Sequence, residues 1–252
     1  MARPLNPWEV FAYSGRRVEK TSESFADLSI LGGFYFMTKT QNTVLKRTFF
    51  SELILSKSSG QRIAYIAVIT ALSVVTSMFL EFKMFDVQFS VTIVVSALAG
   101  IMLGPVCGLA ACYVGDLIGY IYNNWGLMYM PWVGLSTGMI AFLSGLIFNA
   151  ARWKFRGALY VKLAIVCVLS FFVCTIGINT TGFYLYYKET GFTSAAIEYI
   201  TQKFGSGVSY FTYVFYRLFV GGQIWNSLVN FALLFAVIPL ANNIKPLKIN
   251  IS

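Results

Sequence analysis

Between Phe89 and Asn123 the chain reads FSVTIVVSALAGIMLGPVCGLAACYVGDLIGYIYN, two apolar runs joined only by Gly104-Pro105. In water such a stretch would be an insoluble core fragment. In a bilayer it is a helical hairpin with a tight, uncharged turn, because helices satisfy their backbone groups internally. The second run is lined with small residues and carries one acid, Asp116. A charge at that depth costs about 3 kcal/mol or more unless it meets a partner or a water-filled cavity, so Asp116 is a functional-site candidate.

Composition agrees with a membrane class. The chain is 57% hydrophobic and only 12% charged, with mean hydropathy +0.68. Soluble domains carry about twice that charge fraction. The 252 residues leave room for one all-α, polytopic domain of about six spans at roughly 20 residues each. No hydrophilic block is long enough for a globular enzyme domain. Histidine is absent, which removes the commonest general base and metal ligand. Cys107, Cys112, Cys167 and Cys174 all lie in apolar runs and form neither a disulfide framework nor a metal-binding spacing. They read as small packing residues, and the sequence implies no metal and no cofactor.

The six expected spans are Ile63–Leu80, Phe89–Leu103, Pro105–Tyr122, Pro131–Phe148, Ala158–Tyr186 and Tyr210–Leu240. A short outer loop, Glu81–Gln88, follows the first, and a polar connection, Tyr187–Ser209, precedes the sixth. Six spans put both termini on one side. That side receives Lys57, Arg62, Arg152, Lys154, Arg156, Lys162, Lys245 and Lys248. The other has Lys83, Lys188 and Lys203, offset by Glu81, Asp86, Glu189 and Glu198. The positive-inside rule therefore places both termini in the cytoplasm of a multi-pass cell-membrane protein. The net charge of +9 is mostly this bias plus attraction to anionic lipid. No basic, aromatic-interleaved surface points to nucleic acid.

Three regions follow: 1–61, 62–244 and 245–252. The first is polar and basic, and its apolar pieces are too short to span. It reads as a cytoplasmic tail with an interfacial helix around Thr43–Ser56. A competing reading starts the protein at Met37. Residues 62–244 are the six-helix membrane domain, and 245–252 a cytoplasmic tail.

Inside the expected spans, only Asp116, Lys162 and Arg217 are ionisable apart from tyrosines and cysteines. Lys162 is close enough to the inner end to snorkel. Arg217 sits about 10 Å into the sixth span on a continuous helix, in the outer half, as does Asp116. Two alternatives stand: the two pair across helices, or they face a cavity open to the outside. Such a cavity would suit a planar polar ligand, because a guanidinium offers paired donors to a carboxylate or heterocycle edge. Asn179 and Thr180 lie where the apolar pattern of the fifth span breaks, at Thr175–Gly182. Tyr129, Trp132, Phe82 and Phe85, the last two flanking Lys83, gather at the same depth. Gln223, Asn226 and Asn230 follow along the sixth span. An interfacial aromatic belt explains Trp125 and several tyrosines, but it explains Asn179 and Arg217 poorly. Ala67 and Ala71, with Ala64 a turn earlier, make a flat strip on the first span that admits another helix closely.

In this order the motifs resemble the membrane-embedded substrate-binding subunits, or S components, of energy-coupling factor (ECF) vitamin transporters. The residues that carry the resemblance are the Ala67/Ala71 pair, the junction Leu98–Gly108 and Gly115-Asp116-Leu117. Asn179-Thr180 and the run Tyr216–Asn226 look most similar to the folate-type subfamily. The likeness covers about Arg62 to Ile244. It implies a non-enzymatic subunit that captures folate or a related vitamin from outside and delivers it by docking on a transmembrane coupling protein driven by two cytoplasmic ATPases. The chain has no GxxxxGK[ST] loop of its own. The implied ligand set is Phe82, Lys83, Phe85, Asp116, Tyr129, Trp132, Asn179, Thr180, Arg217 and Gln223, and the implied docking face is Ala64, Ala67 and Ala71. Riboflavin, pantothenate or a queuosine precursor is the alternative cargo. An intramembrane enzyme lacks a second carboxylate. A non-binding assembly subunit would pair Arg217 and Asp116 permanently.

Overall fold

The first helix of the bundle begins where Ser58 and Gln61 exchange caps across the Ser59 end, satisfying backbone donors that hydrocarbon could not. The structure is a computed structural model that describes residues 48–84, 87–122, 128–150, 153, 155, 157–205 and 207–243. In chain order the elements are α1 (Glu52–Leu55), α2 (Ser59–Phe79), β1 (Glu81–Met84), β2 (Val87–Ser90), α3 (Thr92–Leu103), α4 (Pro105–Tyr122), α5 (Pro131–Ala150), α6 (Ala158–Leu169), a π-helical stretch (Ser170–Thr180), α7 (Thr181–Thr190), α8 (Ser194–Phe204), α9 (Tyr210–Phe219) and α10 (Gln223–Asn243). The chain is a polytopic helical membrane protein. Among the described residues, five helical segments are long and apolar enough to cross a membrane, the longest being the continuous Ala158–Thr190.

The sixth apolar segment, α3, has only 12 residues. Nearly all of it is buried, so it lies at the centre of the bundle and meets little lipid. It contributes to both apolar cores. One joins Ile93, Ala97 and Ile101 to Ile140, Leu163, Val166, Leu234 and Ile238. The other joins Ala99, Met102 and Leu103 to Ile69, Ala111, Cys112 and Ala141. Small residues allow this close approach: a methyl on Gly100 would overlap the Ala141 carbonyl. Gly104, at φ 92°, ends α3, and Pro105 starts α4 with no break, as a fixed proline φ permits at a first helical position. By contrast, α2 exposes Ile63, Val68, Leu72, Val75 and Phe79, an apolar surface suited to lipid or another helix.

Before α2, α1 packs against the α3–α4 turn. The Ser51 hydroxyl donates to the Met102 carbonyl, and Ile54 is buried in the core beneath. Arg62 ties this segment to α2 through the Lys57 and Leu55 carbonyls, at 2.8 and 3.0 Å. The expectations for residues 1–47, including the Met37 start, lie outside the described residues.

Several boundaries differ from the sequence reading. The first outer loop is a β-hairpin in which Glu81 pairs Ser90 and Met84 pairs Val87, so Phe89 belongs to a strand and the second span starts at Thr92. The connection Tyr187–Ser209 contains α8, whose Ala196 and Ile200 are buried. The expected sixth span is two helices. α9 ends at Phe219, where the Tyr216 carbonyl accepts from Val220 and Gly221, both at 2.9 Å. Gly222, at φ 71°, turns the chain into α10. One continuous helix over Tyr210–Leu240 would measure about 46 Å, well beyond the roughly 30 Å hydrocarbon core. α10 alone, at 21 residues, suffices to cross.

Candidate functional site

The fifth span distorts where its apolar pattern fails. In the π-helical stretch the Thr180 hydroxyl reaches the carbonyl five residues back, Thr175, at 2.8 Å, and Thr181 reaches Ile176 at 3.3 Å. The wider turn brings Asn179 against α9, and π-bulges are frequent at functional sites. Asn179 Oδ1 accepts from Arg217 Nη2 at 3.3 Å. The guanidinium carbon also lies 4.0 Å from the centre of the Phe183 ring, one turn further along, a cation–π contact. Phenols complete the surround: Tyr213, Tyr187 and Tyr216 are its polar neighbours, and the rings of Tyr184, Tyr187 and Phe192 pack on Tyr213 at 5.8, 6.4 and 5.4 Å between centroids. Among the described residues no acid touches Arg217. It lies in the last turn of α9, not partway along a continuous sixth span.

A second polar group sits between α4 and α5. Asp116 is partly buried and points at Gly134. A methyl built on Gly134 would lie 2.8 Å from the Asp116 carboxylate and 2.7 Å from the Tyr129 hydroxyl. The missing side chain is what lets both oxygens occupy one place. The Tyr129 hydroxyl is buried beside the Asp116 carboxylate and the Tyr113 hydroxyl. Burial first, then Asp116 and the neighbouring Tyr113, push its pKa up, so it stays protonated and able to donate. Trp132, in the first turn of α5, buries its Nε1 without an acceptor. A buried donor with no partner costs about 1–3 kcal/mol, and in a binding protein a ligand can remove that cost.

Trp132 packs on the helix that carries Phe183. Its ring lies 5.9 Å from Phe183, edge on, and 6.0 Å from Tyr186. A methyl on Gly182 would overlap the indole. A run of rings therefore leads from Trp132, past Phe183, to Arg217 and Asn179.

The structure thus brings Asn179 to Arg217, Tyr129 to Asp116, and Trp132 to Phe183. It does not pair Asp116 with Arg217; the permanent ion pair of an assembly subunit is not formed. Thr180 is fully buried and spends its hydroxyl on the Thr175 carbonyl of its own helix. Gln223 lies beyond the break, where it begins α10. Phe82 and Lys83 lie in β1, paired through their backbone with Phe89 and Gln88, and Phe85 lies outside the described residues. Lys162 does not snorkel: it is 1% exposed, with its Nζ 5.6 Å from the centre of the Phe148 ring. Sequence reasoning missed Phe183, Tyr187 and Tyr213. The only signal for the first two was the dense run Phe183-Tyr184-Leu185-Tyr186-Tyr187, which an interfacial belt also explains.

Residues 57–213 match the model of a protein family described as the ECF-type riboflavin transporter S component. The chain belongs to that family. Membership places it among membrane-embedded transport subunits, not among enzymes, and supports an S component in the cell membrane. The match ends at Tyr213, so it takes in Asp116, Trp132 and Asn179 but stops before Arg217 and α10. No curated protein matches the chain.

Proposed function

We propose that this chain is the vitamin-capture subunit of an ECF importer, and that its cargo is a flat heteroaromatic vitamin of the folate class bound from outside. The observation that carries the cargo is Arg217. It is a guanidinium held by a carboxamide oxygen, a ring face and phenols, with no acid against it among the described residues. A cation in a low-dielectric setting without a counter-charge is matched best by an anion, and a folate carries carboxylates that a guanidinium can grip in two places. Trp132 and Phe183 offer ring surface for the heterocycle. Asp116, with the Tyr129 hydroxyl and the unpartnered Trp132 Nε1, would meet its mixed donor and acceptor edge.

Delivery would follow through the exposed Ala64, Ala67 and Ala71 of α2, which would dock on a transmembrane coupling protein powered by two cytoplasmic ATPases. Riboflavin is the second reading. The matched family carries that name, and an uncharged isoalloxazine would use Arg217 as a donor to its carbonyls.

Titrating tryptophan fluorescence of the purified protein with folate and with riboflavin tests this. Saturable nanomolar quenching by folate, lost in Arg217→Ala, is the expected result. Quenching by riboflavin alone moves the cargo to the second reading, and no quenching by either in a folded sample removes both.

A further inference from the structure

The helix that carries Arg217 is short. α9 has 10 residues, and a helix of that length is marginal without tertiary support. The break at Gly222 separates it from α10, so the last span does not hold it in register. Its place on the fifth span must come from contacts along α9 itself. Tyr210, Tyr213 and Arg217 recur at i, i+3 and i+7 and so share one face. That face meets the fifth span. Tyr184 packs edge-on against Tyr210, 5.3 Å between centroids, and against Tyr213 at 5.8 Å. Ring contacts of this kind tolerate a slide. Hydrogen bonds do not, because they weaken steeply with distance and angle.

Among the described residues, two side-chain hydrogen bonds tie α9 to the fifth span. One is Arg217 to Asn179. The other joins the Tyr210 and Thr181 hydroxyls at 2.9 Å. They sit at opposite ends of α9 but only two residues apart on the fifth span. The Thr181 hydroxyl also donates to the Ile176 carbonyl at 3.3 Å. A threonine has one proton to give, so the Tyr210 phenol is the donor to Thr181. The result is a relay from the first residue of α9, through Thr181, to a carbonyl inside the π-helical stretch. The widened turn that presents Asn179 thus also anchors the far end of the helix that brings Arg217 to it.

We propose that Thr181 and Tyr210 are positioning residues, whose hydroxyl pair sets the register of α9 on the fifth span and thereby holds Arg217 where it grips a ligand carboxylate. The second half rests on the folate reading. Neither residue touches ligand in this scheme; both act through Arg217.

Hydrogen–deuterium exchange of the full chain in lipid nanodiscs, without ligand, tests the register. The amides of Tyr213–Phe219 should exchange about fivefold faster in Thr181→Val and in Tyr210→Phe, no faster again in the double variant, and near the wild-type rate in Thr181→Ser, which keeps the hydroxyl; one hydrogen bond has this scale. Folate titration tests the action on Arg217. Kd should rise about fivefold in Tyr210→Phe, but no further when that change is added to Arg217→Ala. Wild-type exchange in folded Tyr210→Phe, or additive effects in the double variant, overturn the register. Faster exchange with an unchanged Kd, or equal weakening with and without Arg217, overturns the role in binding. Should Thr181→Val fail to fold, Tyr210→Phe, which keeps its ring against Tyr184, carries the test. If wild type does not bind folate, the folate reading and the role in binding fall together, and the exchange measurement still decides the register.

Discussion

Arg217 is held by a carboxamide oxygen, a ring face and several phenols, none of them formally charged. Replacing it with alanine should therefore cost binding far more than stability: about 2 kcal/mol or more, roughly 30-fold in Kd, as for a buried arginine anchor. Lys188→Ala, on the exposed end of α7, should leave Kd unchanged, and titration of both variants checks the contrast. Asp116 makes no ion pair among the described residues. Asp116→Asn should thus leave the thermal midpoint near wild type while weakening the ligand several-fold; a large fall in the midpoint would mean that the carboxylate is structural. These two residues were legible in the sequence because an ionisable group among apolar residues stands out. Their partners were not. A tyrosine in a belt and a tyrosine around a guanidinium have the same one-dimensional context, and only packing separates them. Lys162 shows the reverse error: proximity to a span end suggested snorkelling, whereas helix packing closes over it against Phe148.

The elements that shape the site are the irregular ones. The π-helical stretch adds width where Asn179 must reach α9, and Gly182 lets Trp132 lie against the same helix. Gly182→Ala would force the rigid indole aside. A reduced thermal midpoint together with weaker ligand binding is expected, measured by melt and titration on one preparation. At Gly222 the cost is conformational: an alanine in the left-handed region is disfavoured by about 1 kcal/mol, and the α9–α10 junction should loosen accordingly. Faster exchange of the Val220–Gln223 amides would report it. The broken last span was hidden in the sequence because Val220-Gly221-Gly222 interrupts an apolar run without a charge. The hairpin was hidden for another reason: four-residue strands give too short an alternation to register.

For the whole molecule, α2 presents its face to the outside of the bundle. Ser73 and Ser77 turn inward and meet Gly115 and Gly119 of α4, which leaves Ala64, Ala67 and Ala71 exposed beside Val68 and Val75. Bulk added to that strip should not disturb the ligand group. Ala67→Leu should keep wild-type Kd in the isolated subunit yet abolish vitamin uptake by cells that also express the coupling protein and ATPases. Loss of binding in the isolated variant would assign the strip to internal packing instead.

The sequence by itself determined that the chain crosses a membrane, roughly where it does so, and that Asp116, Asn179 and Arg217 are unusual there. Hydrocarbon permits few backbone solutions and taxes every charge, so composition alone carries that information. Tertiary structure alone decided that Asp116 and Arg217 stay apart, that Thr180 turns to its own backbone, and that Asn226 and Asn230 reach back to Ser90. Those outcomes depend on distances between helices far apart in the chain. Such distances are set by where glycines let helices touch and where a helix widens or breaks, and no local pattern records them.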